Sequence, residues 1–247
     1  MYADCVDLRD FYGTAVGKMA RRMIRRRLRQ MWPDLRGQAV LGLGYATPFL
    51  SLFRDEAERV VAFMPAPQGV LHWPQGGANL TALVEETDLP LPDLSVDRIL
   101  LVHALESTEQ LRPLLRECWR VLNGAGRLLV VVPNRRGLWA RFDATPFGQG
   151  HPYSGGQLAR LLRDTLFTPG DLARALFVPP LPSRFLLRSA PVLERLGERW
   201  FASFGGVLLL EAQKQIYAAR TTRVQVRRRI LVGLPQAAGA RRGGGPA

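Results

Sequence analysis

Gln38-Ala39-Val40-Leu41-Gly42-Leu43-Gly44-Tyr45-Ala46-Thr47-Pro48 is the stretch whose reading decides the fold. A short apolar run that reads as a strand leads into two glycines at alternate positions. Thr47 followed by Pro48 then reads as an N-cap and first helical position, so the spacing predicts a helix starting there. Its body would carry Phe49, Leu50, Leu52 and Phe53 on one face and Arg54, Asp55, Glu56 and Glu58 on the other. Strand, glycine loop and helix start together form the entry of a nucleotide-type α/β domain.

Further strands follow from the same kind of pattern. Arg59–Met64 fits a second buried strand, closed by the turn Pro65-Ala66-Pro67, and Leu80–Val84 supplies a third. Asp97–His103 reads as the fourth and Gly126–Pro133 as the fifth, with a helix over Leu111–Leu122 between them, ended by Asn123-Gly124. Apolar runs separated by helical patterns describe a parallel sheet covered on both faces. After Pro133 the pattern turns irregular. Arg135–Tyr153 is a Gly- and aromatic-rich connection, and Ser154–Arg163 reads as a helix. Thr168-Pro169 repeats the cap-plus-proline signal for a helix start, and Val207–Glu211 is the last strand.

The 247 residues suit one sizeable core with extensions. The net charge of +13 belongs to the two ends. Residues 1–36 hold nine basic and four acidic residues, residues 220–247 hold seven arginines and no acid, and the stretch between is close to neutral. Within the first end, Phe11–Trp32 repeats apolar residues at helical spacing with Arg21, Arg22, Arg25, Arg26 and Arg29 largely on the opposite face, and Trp32-Pro33 closes it. This predicts a basic amphipathic helix over 1–36, an α/β domain over 37–219 and a disordered basic tail over 220–247. The two basic ends are the candidate contacts for RNA or a protein partner. No apolar run approaches the roughly 20 residues that span a bilayer, and the N-terminus lacks the layout of a secretory signal. Cys5 and Cys118 are far apart and match no metal-ligand spacing, so the reading is a cytoplasmic protein without a metal site.

The block Leu114–Val130, with Val121-Leu122-Asn123-Gly124-Ala125-Gly126-Arg127 at its centre, resembles the approach to the fifth strand in class I S-adenosylmethionine (SAM)-dependent methyltransferases of the type-11 branch. The run Asp88–Leu100 is similar to that branch's approach to its fourth strand, and Val40–Pro48 stands in the cofactor-loop position. The resemblance covers roughly residues 37–165. It implies a Rossmann-like three-layer sandwich: a mostly parallel seven-stranded sheet with an antiparallel last strand, an N-terminal helix and a helical insertion at 169–200 over the substrate side. It also implies transfer of a methyl group from SAM to an unknown acceptor.

The family's cofactor positions fall here on Gly42, Gly44, Tyr45, Ala46, Met64, Glu85 and Glu86. The family carries an acid in its cofactor loop where this chain has Gly42; Gly44 keeps the first glycine, and Ala46 and Pro48 replace the later ones. Met64 stands where the family's acid accepts hydrogen bonds from the ribose hydroxyls, and a thioether is only a weak acceptor. Losing that charged partner costs about 1.5–3 kcal/mol, or roughly ten- to a hundredfold in affinity. Glu85 or Glu86 is the counterpart of the acid near the adenine amine. His103, just after the fourth strand, is the candidate catalytic base, with Glu106 placed to orient it or to begin a helix. His151 and Tyr153 are the candidate substrate contacts. Two other readings stay open: a non-catalytic binding or scaffold descendant of the fold, and a nicotinamide dinucleotide enzyme entered through Gly42-x-Gly44.

Overall fold

Seven segments pair into one sheet in the order β3-β2-β1-β4-β5-β7-β6. They are β1 (Ala39–Gly44), β2 (Arg59–Pro65), β3 (Thr81–Val84), β4 (Val96–Val102), β5 (Leu122–Pro133), β6 (Phe167–Ala175) and β7 (Val207–Lys214). The first five run parallel, and β7 lies antiparallel between β5 and β6. The structure, a computed structural model, describes residues 3–216. The tail expected at 220–247 lies outside the described residues.

Side chains alternate across this sheet, as a period of two requires. Val40, Met64, Leu100, Val102, Leu129 and Val131 face the layer made by α1 (Cys5–Gly13), α2 (Ala15–Met31), α3 (Thr47–Leu50) and α6 (Arg184–Trp200). Leu41, Leu43, Ile99, Leu101, Leu128 and Val130 face α4 (Leu111–Val121) and α5 (Gly155–Asp164). Near-continuous apolar strands are what a sheet covered on both sides needs. No described helix is long and apolar enough to cross a membrane.

Three local expectations are corrected. The N-terminal helix is two helices, broken at Thr14, whose backbone is extended (φ −69°, ψ 165°) and whose hydroxyl accepts from the Gly17 amide as the N-cap of α2. Gly17 permits the tight join: a Cβ there would lie 2.0 Å from the Phe11 carbonyl oxygen. The helix expected after Pro48 is only one turn long. Arg25 donates to the Pro48 carbonyl and to Ser51, and Arg29 donates to the Leu52 carbonyl and to Glu56. Arginines of α2 thus take carbonyls that a longer helix would have bonded internally. Finally, Thr168-Pro169 starts no helix. It lies in the edge strand β6, where proline costs least, and the register with β7 shifts between Pro169 and Leu172. Residues 169–175 of the expected insertion therefore belong to the sheet, and the helix of that region is α6. Its buried Glu194 accepts from the Leu176 and Phe177 amides at 2.8 Å each.

The loop before β4 is pinned by one arginine. Arg120 donates to Glu117 and to the Leu89 and Leu91 carbonyls, and Glu117 accepts from the Leu89 amide. Arg120 holds the Glu117 carboxyl below its ordinary value of 4.5. The folded chain therefore binds that proton less tightly than the unfolded one, and the stabilisation is present above about pH 4.5 and is lost as pH falls through the lower folded value. Denaturant titrations at stepped pH are expected to show Glu117→Gln less stable at neutral pH by about 1 kcal/mol, with the difference shrinking toward acid.

Candidate active site at the carboxyl edge of β1 and β4

Strand order reverses between β1 and β4, and open α/β sheets bind ligands outside the carboxyl ends of strands at such a point. Gly44 ends β1 with φ +82°, and a Cβ there would lie 2.3 Å from the Val102 carbonyl oxygen and 2.9 Å from the Ala104 Cβ. Only glycine lets the two strand ends approach so closely. His103 follows β4 with φ +51°, an uncommon conformation for a residue with a side chain.

Three side chains hold His103, two of them from distant parts of the chain. Glu106 Oε1 lies 3.1 Å from Nδ1, the Tyr12 hydroxyl lies 2.8 Å from Nε2, and Gln68 Nε2 donates to the His103 carbonyl at 3.0 Å. All four residues are buried, Tyr12 and His103 at 3 % exposure, Glu106 at 2 % and Gln68 at 0 %. Burial first, and then the charge of Glu106, pushes the Tyr12 phenol well above its ordinary value, so it is a neutral donor. A Tyr12 hydroxyl that donates to Nε2 leaves the ring proton on Nδ1, where Glu106 Oε1 accepts it. Glu106 Oε2 and Gln68 Oε1 are buried with no hydrogen-bond partner among the described residues.

The other cofactor positions read from the sequence divide into three groups. Gly42 is enclosed: a Cβ would meet Leu50 Cδ1 at 2.4 Å and Ala46 Cβ at 2.8 Å. Leu50 thus fills the space of the acid the resemblance implies there. Ala46 and Met64 are fully buried in the core beneath the helix layer. Tyr45 stacks on Tyr12 with centroids 5.9 Å apart, and burial pushes its phenol up to about 12. Of the two acids after β3, Glu85 is exposed and bridges to Asp88, whereas Glu86 is buried and accepts from the Thr108 hydroxyl beyond β4.

The connection after β5 folds back over the same edge. The His151 amide donates to the Glu106 carbonyl, although the residue is exposed, and the Tyr153 hydroxyl donates to the Leu105 carbonyl at 3.2 Å. Phe147 packs on the His103 ring with centroids 5.0 Å apart. Tyr12, Gln68 and Phe147 were not singled out by the sequence. Tyr12 lies in α1 and meets His103 across 91 residues, a contact for which the helix's own spacing carries no signal.

The methyltransferase domain family matches residues 34–130. That match covers about two fifths of the chain. A probable SAM-dependent methyltransferase of Mycobacterium tuberculosis is 46 % identical over 48 residues, 19 % of this chain. That match spans only 18 % of the curated relative's length. Among solved structures, a SAM-dependent methyltransferase of Thermotoga maritima superposes with a TM-score of 0.58 at 15 % identity, over 84 % of this chain and 94 % of its own. The 1,6-didemethyltoxoflavin-N1-methyltransferase of Burkholderia thailandensis, bound to its ligand and S-adenosylhomocysteine, does so with a TM-score of 0.53 at 18 % identity, over 84 % and 82 %. At such identities the structural likeness is one of fold.

The family's donor can be tested against the residues at this edge. SAM carries a sulfonium cation, an amine and ribose hydroxyls, which all seek acceptors. The orphaned Gln68 Oε1 supplies one of them in a place where an unmade hydrogen bond is costly. The chemistry of this acceptor fits such a donor.

Proposed function

We propose that the chain is a SAM-dependent methyltransferase whose donor seats around His103 once Tyr12 leaves it. The observation that carries this reading is the buried Glu106–His103 pair, with an acceptor nitrogen aimed at the Tyr12 hydroxyl on the switch-point edge of a methyltransferase fold. Bound there, SAM supplies an activated methyl group, and the protein has to align the incoming nucleophile and take its proton. His103 Nε2 is the group for that proton, and Glu106 orients the ring through Nδ1. Gln68 and Glu86 stand where polar groups of the donor need acceptors, in place of the carboxylate that Met64 does not provide. His151 and Tyr153 lie on the acceptor side, held to the loop after β4 by their bonds to Glu106 and Leu105. A reduced, cytoplasmic setting suits the buried free thiols Cys5 and Cys118.

Calorimetry of the full chain with SAM and S-adenosylhomocysteine tests the reading. Saturable binding of both supports it; no heat and no thermal shift at about 1 mM, the limit of useful affinity, would leave a folded domain without a donor. Glu106→Gln is expected to lower turnover about tenfold, a part of what general-base catalysis contributes, with S-adenosylhomocysteine affinity unchanged by the same calorimetry. Equal losses in both would assign Glu106 to donor binding instead.

A further inference from the structure

Outside the Tyr12–Tyr45 stack lies a hollow of about 590 Å3 that the donor site does not account for. Arg9, Lys18, Arg21 and His72 line it, with Trp73 and the Tyr45 ring among its flat surfaces. Among the described residues no carboxylate lines it. Arg9 has a partner in the neighbouring Asp10, whereas the side chains of Lys18 and Arg21 have neither an ion pair nor a hydrogen bond among the described residues. A second basic depression, lined by Lys18, Arg21, Arg22 and Arg25, continues it along α2. Two unpaired cations beside a half-buried indole create a positive potential with no internal counterion. Such a place disfavours the sulfonium cation and draws an anion. Its volume is that of a small-molecule site, too small for a nucleic-acid helix, and its rings suit a flat partner.

We propose that this hollow seats the methyl acceptor, and that the acceptor is a small organic anion carrying a phosphate-like group and a flat ring. The acceptor role rests on the methyltransferase reading; the anion site itself does not. The Tyr12 ring lines the hollow on one side and bonds His103 Nε2 on the other. Displacing this one side chain would therefore join the anion seat to the proposed base. Lys18 and Arg21 hold the charged group, and Trp73 stacks on the ring.

Titration of the full chain with ADP and with inorganic pyrophosphate, as probes of ring plus phosphate and of phosphate alone, tests the site without any methyl transfer. Saturable binding of both is expected. Lys18→Glu combined with Arg21→Glu should weaken both at least tenfold, and Trp73→Ala should weaken ADP at least threefold while leaving pyrophosphate unchanged. Arg26→Glu, on the same helix but outside the hollow, should change neither. Absence of saturable binding at about 1 mM, or an equal loss in the Arg26→Glu protein, would overturn the site in favour of diffuse charge. A single-stranded oligonucleotide that binds more tightly than ADP and is weakened equally by Arg26→Glu would overturn it in favour of a nucleic-acid surface. ADP binding in a chain that does not bind SAM would keep the anion site and remove the acceptor role. SAM binding without anion binding would keep the methyltransferase reading and remove this proposal.

Discussion

Tyr12→Ala is expected to bind S-adenosylhomocysteine at least tenfold more tightly than the unaltered chain, while losing about 3–5 kcal/mol of stability. The two effects have one origin. The Tyr12 ring is buried against Tyr45, Phe49 and Phe11, with centroids 5.9, 5.6 and 5.1 Å away. Removing it leaves a cavity and an unpaired Nε2 on His103, each of which costs stability. The same cavity is the room that a ligand otherwise has to gain by expelling the ring. A tenfold gain corresponds to about 1.4 kcal/mol, well within what the displaced contacts are worth. Tyr12→Phe separates the parts: the ring stays, the hydroxyl goes, and stability falls by about 1–2 kcal/mol with little change in ligand affinity. Denaturant titration and calorimetry on the two proteins read both quantities. An affinity unchanged or lowered in Tyr12→Ala would mean that the ring is not in the ligand's way.

Gly42→Asp, which restores the acid of the family's cofactor loop, is expected to abolish folding or cost more than about 4 kcal/mol, and to bring no gain in SAM affinity. The new Cβ would sit 2.4 Å from Leu50 Cδ1 and 2.8 Å from Ala46 Cβ, an overpacking penalty of about 1–3 kcal/mol by itself. The carboxylate beyond it would lie among fully buried apolar side chains, and an unpaired charge there adds several kcal/mol. Leu50→Ala introduced together with Gly42→Asp makes room and is expected to recover part of the loss. If Gly42→Asp alone folds normally and gains affinity for SAM, the packing of Leu50 does not exclude the acid.

These two positions also show where the sequence was informative. The strands β1, β2, β4 and β5 were legible because each is a short apolar run buried on both faces, and the helix read from Ser154 is α5, which the structure shows capped by Ser154 and Gln157. Thr168-Pro169 misled because the same dipeptide suits both a helix start and a proline-tolerant edge strand, and only the pairing with β7 decides between them. The helix after Pro48 stops early because Arg25 and Arg29 reach its carbonyls from another helix, a tertiary event without a local signature. The positions of His103 after β4 and of Glu86 after β3 were legible. The contacts of Tyr12 and Gln68 with His103 were not, because helical or turn residues meet it only when the fold brings them there. The absence of the loop acid was plain in the sequence. That Leu50 had taken its space was visible only in three dimensions.

A crystal structure of the full chain with S-adenosylhomocysteine decides whether the donor site lies behind Tyr12. The expected result is the ligand beside Gly44 with the Tyr12 hydroxyl moved out of hydrogen-bond range of His103 Nε2. A ligand bound elsewhere, with Tyr12 still 2.8 Å from that nitrogen, would contradict it.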